Sequence, residues 1–135
     1  MKDPWKKLLG NVKSTAAVRP LRRTVSKNGT AKIPYEPMEV SITAEDLKKL
    51  FDVQEGRCAI LGTPLNPQDL FIARHPLAPS VDRLDNDQPY NSANIQICSR
   101  FANFGKCAYP TEGMDEIVTR IKRGIVTKKW WQFWK

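Results

Sequence analysis

The chain has 135 residues, which suits one domain of ordinary size, and 41% of them are hydrophobic, enough for a modest core. The net charge of +8 and the isoelectric point of about 9.6 favour polyanionic partners. The sequence contains neither an apolar run long enough to span a membrane nor a signal-peptide core at its N-terminus. We therefore expect an intracellular, cytoplasmic protein with no membrane partner.

The charge is unevenly distributed along the chain. Residues 1–35 carry nine Lys or Arg and one Asp, and residues 119–135 carry six Lys or Arg and no acid. The segment between them carries seven basic and thirteen acidic residues. We expect a basic N-terminal arm over 1–41, a core over 42–110, and a C-terminal helix with an aromatic and basic tail over 111–135. The two basic ends are either solvated tails or contacts for nucleic-acid phosphates.

The three cysteines, Cys58, Cys98 and Cys107, fit neither a disulfide framework nor a zinc site. Their number is odd, no CxxC occurs, and the single histidine, His75, completes no standard finger spacing. We expect reduced, buried thiols and no structural zinc.

The first predicted element is an extended arm. Pro4, Pro20, Pro34 and Pro37 interrupt residues 1–41, so the pattern favours a short strand or two rather than a long helix.

The first predicted helix lies in the segment SITAEDLKKLFDVQEG. Thr43 is its candidate N-cap, and Asp46 three residues later completes a capping-box pattern. Apolar residues at i, i+3 and i+4 from Leu47 form one stripe, and Gly56 is predicted to end the helix.

Four short strands are predicted after this helix. The first two are Cys58–Leu61, before a Gly-Thr-Pro turn, and Leu70–Ala73, in a proline-rich loop. The other two, Ser80–Leu84 and Asn94–Cys98, flank the polar segment Asp85–Ala93 and predict a loose hairpin.

A short helix is predicted directly after the hairpin, in SRFANFGKCA. Phe101, Phe104 and Cys107 form its apolar stripe, whereas Asn103 and Lys106 fall away from that stripe.

The last predicted helix covers about 112–123. Its apolar stripe begins at Met114, and Gly124 is placed to cap its C-terminus. The chain then ends in KKWWQFWK, where we expect aromatic side chains to dock on the domain while Lys128 and Lys129 face phosphate.

The order strand, polar loop, strand, helix carries the residues VDRLDN, PYNSANIQIC and a later N..K. This pattern resembles the HNH endonuclease motif, a ββα-metal finger, in its small phage-type form. The resemblance covers about residues 44–108 and includes the upstream segment QEGRCAILGTPL. It implies an α+β fold, a ββα-metal (HNH) finger with flanking helices and with basic N- and C-terminal extensions.

The resemblance implies roles for four residues. Asp82 takes the position of the first metal ligand and Asn103 that of the second. Asn94 holds the polar loop through side-chain hydrogen bonds to backbone, and Lys106 reaches a phosphate. Phosphodiester hydrolysis needs a divalent cation, and Mg²⁺ keeps several waters and needs few protein oxygens. Mg²⁺ is therefore the expected cofactor, with Mn²⁺ as the other candidate.

One position departs from the motif. The residue after the first Asp is usually His, the general base, and here it is Arg83, which stays protonated and cannot accept a proton. Three alternatives stay open: His75 reaches in as base, Asp85 or Tyr90 activates the nucleophile, or the metal alone lowers the pKa of water. Arg83 would then hold the scissile phosphate through a bidentate contact.

The sequence thus predicts a metal-dependent endonuclease that hydrolyses phosphodiester bonds, by nicking or by double-strand cleavage, with double-stranded DNA as the expected partner. Size and composition fit a phage or mobile-element enzyme, such as a homing endonuclease, acting as a monomer or a homodimer. The alternatives are a non-catalytic DNA-binding protein and a packaging or host-interaction module that retains an HNH-like scaffold. RNA stays open as a substrate. The predicted nucleic-acid contacts are Lys106, Arg100, Arg19, Arg22, Arg23, Lys128 and Lys129.

Overall fold

A computed structural model describes residues 2–18, 37–107, 111 and 113–127. Within them the fold is α+β, as predicted, with four α-helices and one two-stranded antiparallel sheet. The described helices are all too short or too polar to cross a membrane. In chain order the elements are α1 (Pro4–Val18), α2 (Ala44–Val53), a 3-10 turn (Pro67–Phe71), β1 (Pro79–Arg83), β2 (Ile95–Ser99), α3 (Arg100–Lys106) and α4 (Met114–Thr127).

The extended arm predicted for the N-terminus is wrong over its first half, where α1 forms instead. Asp3 accepts hydrogen bonds from the first free N–H groups, 2.9 Å from that of Trp5. Pro4 is the first helical residue, a position where the missing N–H costs nothing. One face of α1 is buried, including Leu8 and Val12. Residues 19–36 of the predicted arm, which include Arg19, Arg22 and Arg23, lie outside the described residues.

Helix α2 begins with the capping box that its sequence predicts. The Thr43 hydroxyl accepts the Asp46 N–H at 3.1 Å, and the Asp46 carboxylate accepts the Thr43 N–H at 2.8 Å. Leu47 is completely buried. The helix ends at Val53, earlier than predicted, and the chain then reverses at Gly56, whose φ of +66° suits a glycine.

The two strands predicted before the hairpin do not form. Cys58–Leu61 folds into a turn, and a single bridge pairs Arg57 with Pro64. Leu70–Ala73 overlaps the 3-10 turn over Pro67–Phe71. Short apolar runs of this length do not distinguish an extended segment from a folded one, so the pattern misled the prediction.

The predicted hairpin forms, with β1 and β2 paired so that Val81 lies opposite Ile97 and Asp82 opposite Gln96. Gln54, just after α2, bonds to the other edge of β2. Its amide nitrogen donates to the Ile97 carbonyl at 2.7 Å, and its amide oxygen accepts the Ile97 N–H at 2.9 Å. This side chain satisfies backbone groups of β2 that face away from β1.

Helix α3 forms where it was predicted, but its buried face is not the predicted one. Phe101 and Phe104 are 65% and 73% exposed, whereas Ala102 and Lys106 are buried. Cys107 is also exposed, so the expectation of three buried thiols holds only for the other two cysteines.

Helix α4 begins at Met114 and continues through Gly124, which is therefore not its C-cap. Met114 and Val118 face the core, while Ile121 on the predicted stripe is 54% exposed. The tail with Lys128 and Lys129 lies outside the described residues.

One hydrophobic core joins these elements, with Leu8 of α1, Leu47 of α2, Ile97 of β2, Ala102 of α3 and Met114 of α4 among its members. Through this core, the hairpin and α3 are packed together with α1 and α2.

Candidate functional site

A cleft of about 740 Å³ opens between α1, β1, the polar loop and α3. Polar and apolar side chains are mixed along its walls, and they include two arginines and one carboxylate. Its lining residues are Leu8, Asn11, Val12, Ser14, Thr15, Pro79, Ser80, Val81, Asp82, Arg83, Asn86, Tyr90, Arg100, Asn103, Phe104 and Cys107.

Helix α1 supplies one wall of the cleft. Asn11, Ser14 and Thr15 lie at i, i+3 and i+4, so they share one face, next to the buried residues Leu8 and Val12. This wall presents the Asn11 amide and the Thr15 hydroxyl, which can bond to phosphate or base edges without adding charge, whereas the Ser14 hydroxyl already donates to the Gly10 carbonyl at 3.0 Å.

Asn94 fixes the polar loop that forms the second wall. Its amide oxygen accepts the Asp85 N–H at 2.8 Å. Its amide nitrogen donates to the carbonyls of Asp85 at 3.0 Å, Gln88 at 3.3 Å and Pro89 at 3.0 Å. These are side-chain-to-backbone bonds of the kind expected for Asn94, and they give the loop one shape.

Arg83 is bonded to the same loop. Its Nη1 donates to the carbonyls of Asn86 at 2.9 Å and Gln88 at 3.0 Å, and its guanidinium carbon lies 5.3 Å from the centre of the Tyr90 ring. One edge of this guanidinium therefore holds protein backbone, so a bidentate phosphate contact would have to use the remaining N–H groups.

The floor of the cleft contains a buried ion pair. Asp82 on β1 is 4% exposed and Lys106 on α3 is 0% exposed, and the Lys106 ammonium lies 3.1 Å from Oδ1 and 3.0 Å from Oδ2. The ammonium also donates to the Arg83 carbonyl at 3.2 Å, and Gln96 donates to Asp82 Oδ2 at 2.9 Å. The carboxylate charge is thus balanced by a side chain of the protein.

The prediction that Lys106 reaches a phosphate is wrong in this structure. Its side chain is fully buried and its ammonium is directed at Asp82 and at backbone, away from solvent. The burial is tolerable because the charge is paired and its donors are used.

Asn103 lies beside Asp82 on the cleft but does not bond to it. Its amide nitrogen donates to Ser80 Oγ at 2.8 Å and to the Val81 carbonyl at 3.3 Å. Asn103 therefore holds α3 against β1 on one side of Asp82, and Lys106 holds it on the other. The structure does bring the strand and the helix of the predicted metal pair face to face.

Arg100 and His75 are placed very differently. Arg100 lines the cleft, and its side chain has no hydrogen bond or ion pair within the described part of the chain. His75 does not line the cleft: its Nδ1 accepts the Leu77 N–H at 3.2 Å and lies 3.6 Å from Asp69 Oδ2. The structure therefore does not bring His75 together with Asp82.

The other predicted proton acceptors are also separated. Tyr90 lines the cleft beneath Arg83, whereas Asp85 does not line it and accepts the Asp87 N–H at 2.8 Å within the loop. Burial raises the pKa of the Cys98 thiol, so this side chain is not expected to act as a reactive thiolate.

The donor chemistry of Asp82 and Asn103 fits a divalent cation. Both offer oxygen, both line the cleft, and a hard cation needs only one or two such ligands. Groups of three or more His, Cys, Asp or Glu that could hold a metal do not occur in the described residues, so any such ion would keep most of its water. Lys106 occupies both carboxylate oxygens and would compete for them.

Several cleft residues were not identified from the sequence. The wall of Asn11, Ser14 and Thr15 was missed because α1 was predicted to be extended. Gln96 is recognisable only once the strand register places it opposite Asp82. Had α1 been assigned, the polar residues that border its apolar stripe would have indicated a partly exposed second surface.

Comparisons of the chain with family models, with curated proteins and with solved structures gave no match. The case for a function therefore rests on the geometry of the cleft.

Proposed function

We propose that the protein is a metal-dependent endonuclease that hydrolyses phosphodiester bonds of DNA bound in the cleft. The observation that carries this proposal is a buried carboxylate, Asp82, on the floor of a polar cleft, at the junction of a hairpin and a helix. Lys106 balances its charge in this structure, and a divalent cation that accompanies an anionic substrate would compete with that ammonium for the carboxylate oxygens.

The cleft offers suitable contacts for a nucleic-acid backbone. Arg100 and the free edge of Arg83 supply cationic donors, and the α1 wall supplies neutral donors. Arginine binds phosphate through a planar set of N–H groups, and hydroxyl and amide side chains add positioning contacts. These groups would hold a phosphate above Asp82 and fix its orientation.

Asp82 and Asn103 would hold the divalent ion. When bound, the ion supplies charge neutralisation at the phosphate and an acidified water. Asn94 and Arg83 keep the loop in place above the floor, while Asn103 and Lys106 keep α3 against β1. The protein's own contribution is thus a rigid frame around one carboxylate.

A second candidate function is binding of nucleic acid without cleavage. The Asp82–Lys106 pair favours it, because a carboxylate that already has a buried counter-charge does not need a metal. On this alternative Asp82 is a structural residue, and the cleft binds a strand without cutting it.

Incubation of the full chain with plasmid and with labelled oligonucleotides, in Mg²⁺, Mn²⁺ or chelator, tests both candidates. We expect cleavage with either metal and none with chelator. Asp82→Asn keeps the side-chain shape and, in a variant that melting shows to be folded despite the loss of the Lys106 counter-charge, should reduce cleavage by roughly 100-fold or more, since it removes the charge that holds the ion. Asp52→Asn, on an exposed position of α2 outside the cleft, is the matched control and should cleave normally.

The outcomes separate the candidates. Salt-dependent binding of DNA without cleavage in either metal would favour the non-catalytic binding protein over the endonuclease. Equal cleavage by Asp82→Asn and the native chain would show that the active site is elsewhere. Absence of both binding and cleavage would refute both proposals.

A further inference from the structure

Helix α3 presents three different faces. Ala102 and Lys106 face the core. Phe101 is exposed and does not line the cleft. A third stripe at i, i+3, i+4 and i+7 consists of Arg100, Asn103, Phe104 and Cys107, and all four of these residues line the cleft.

Within this stripe, Arg100 and Phe104 form an unusual pair of neighbours. The Phe104 ring is 73% exposed although it lies on a cleft wall, and the Arg100 guanidinium one helical turn before it has no partner among the described residues. An exposed ring beside a cation that no described residue pairs with provides one surface for stacking and one charge for phosphate. That combination recurs where proteins bind the unpaired bases of a single strand.

The depth of the cleft points in the same direction. Asp82 is 4% exposed and lies on the floor, so a phosphate must enter the cleft to approach it. A cavity of about 740 Å³ has the size of a small-molecule site. Because the bases of an intact duplex are stacked inside it, a duplex can lie across the rim of the cleft but cannot place a base against the Phe104 ring.

We infer that the strand taken by the cleft is unpaired, either single-stranded DNA or a locally opened stretch of duplex. One base stacks on Phe104 and the adjoining phosphate bonds to Arg100, which places the backbone over Asp82. This inference rests on the proposed function and deepens it by naming the substrate form, which differs from the intact double-stranded DNA expected from the sequence.

The test is binding in chelator, so that no strand is cut. Fluorescence anisotropy compares a labelled 20-nucleotide single strand with a hairpin duplex of the same composition. We expect the single strand to bind about 10-fold more tightly, and Phe104→Leu to weaken single-strand binding by roughly 10-fold while leaving duplex binding unchanged. Phe104→Trp, which keeps a stacking face, should retain the affinity.

Phe101→Leu is the matched control, because it makes the same change on the same helix outside the cleft. It should alter single-strand affinity by less than about 2-fold, the level expected of a surface change. Both phenylalanines are exposed, so thermal melting should show that each variant folds like the native chain.

Equal affinity for the two forms, or equal losses in the two leucine variants, would overturn the inference. Metal-dependent cleavage that is lost in Asp82→Asn but unchanged in Phe104→Leu would support the proposed function and contradict the inference about an unpaired strand. If the chain prefers single strands through Phe104 but cleaves with no metal, the result would support the inference and refute the proposed endonuclease activity.

Discussion

Asn94 and Lys106 are both buried polar residues of the hairpin and α3 region, yet they do different work. Asn94 is neutral, and its four hydrogen bonds all go to backbone groups no more than nine residues away. Lys106 is charged, and its main partner, Asp82, lies 24 residues away on another element. The first residue shapes a loop locally, whereas the second balances a charge across the fold.

The two residues therefore differ in whether another group could take their place. The buried Asn94 amide satisfies four backbone groups of the loop at once, and Arg83 shares only one of them, the Gln88 carbonyl. An ammonium that neutralises a carboxylate can be replaced, in principle, by another cation of suitable charge. The Asn94 loop is therefore a framework, and the Asp82–Lys106 pair is the part of that framework where ligand chemistry can enter.

Breaking the charged pair from one side should have the largest effect on stability. Lys106→Met preserves much of the side-chain volume but leaves the Asp82 carboxylate buried without its counter-charge, which should lower the free energy of unfolding by about 3–5 kcal/mol. Urea denaturation at neutral pH measures this loss. The double variant Lys106→Met with Asp82→Asn should lose less than the two single changes added together, and strictly additive losses would argue against the pair.

Lys106→Met also sharpens the question of the metal. If Lys106 competes with a divalent ion for Asp82, Mg²⁺ should raise the melting temperature of Lys106→Met more than that of the native chain. Ligand at ten times its dissociation constant stabilises a fold by about 1.4 kcal/mol. Asp82→Asn should show no such gain, and a shift that persists in Asp82→Asn would place the ion elsewhere.

Removing Asn94 should have the next largest effect. Asn94→Ala leaves the Asp85 N–H and three loop carbonyls without their partner, which should cost about 2–3 kcal/mol of unfolding free energy. Asn91→Ala is the matched control, since the Asn91 side chain oxygen accepts only the nearby Ala93 N–H at 3.0 Å. Similar losses at the two positions would show that the loop does not depend on Asn94.

The sequence predicted the local features of the fold better than the distant ones. The capping box of α2 follows from residues three positions apart, and the hairpin follows from two short apolar segments joined by a polar loop, whereas the role of Asn94 came from the resemblance to the HNH motif. Helix α1 was missed because prolines were taken as breakers throughout the arm. Pro4 in fact stands at the first helical position, where proline is favoured.

The charged pair was missed for a different reason. Periodicity assigns burial to apolar residues, so Phe101 and Phe104 were placed in the core and Lys106 outside it. The structure reverses this because Lys106 meets a carboxylate from another element, and no pattern within α3 contains that information. The same reversal frees Phe104 to line the cleft.

The capping box of α2 is a third polar cluster, and it lies on the surface. Substitutions there should change the unfolding free energy less than those at Lys106 or Asn94. Its bonds are as local as those of Asn94, but water can replace them, so Thr43→Ala should cost only about 1 kcal/mol of unfolding free energy. The hydrogen bond from the Thr43 backbone N–H, followed by that from its hydroxyl, lowers the pKa of Asp46.

A lowered pKa in the folded state fixes the direction of the pH dependence. The contribution of the Asp46 charge is fully present above its ordinary pKa of 3.8 and is lost as the pH falls through the lower value of the folded protein. The difference in melting temperature between the native chain and Asp46→Asn should therefore be largest near neutral pH and should shrink as the pH falls below 3.8 and the Asp46 carboxylate takes up its proton. A difference in melting temperature that stays constant across this range would mean that the Asp46 charge does not contribute to the stability of the capping box.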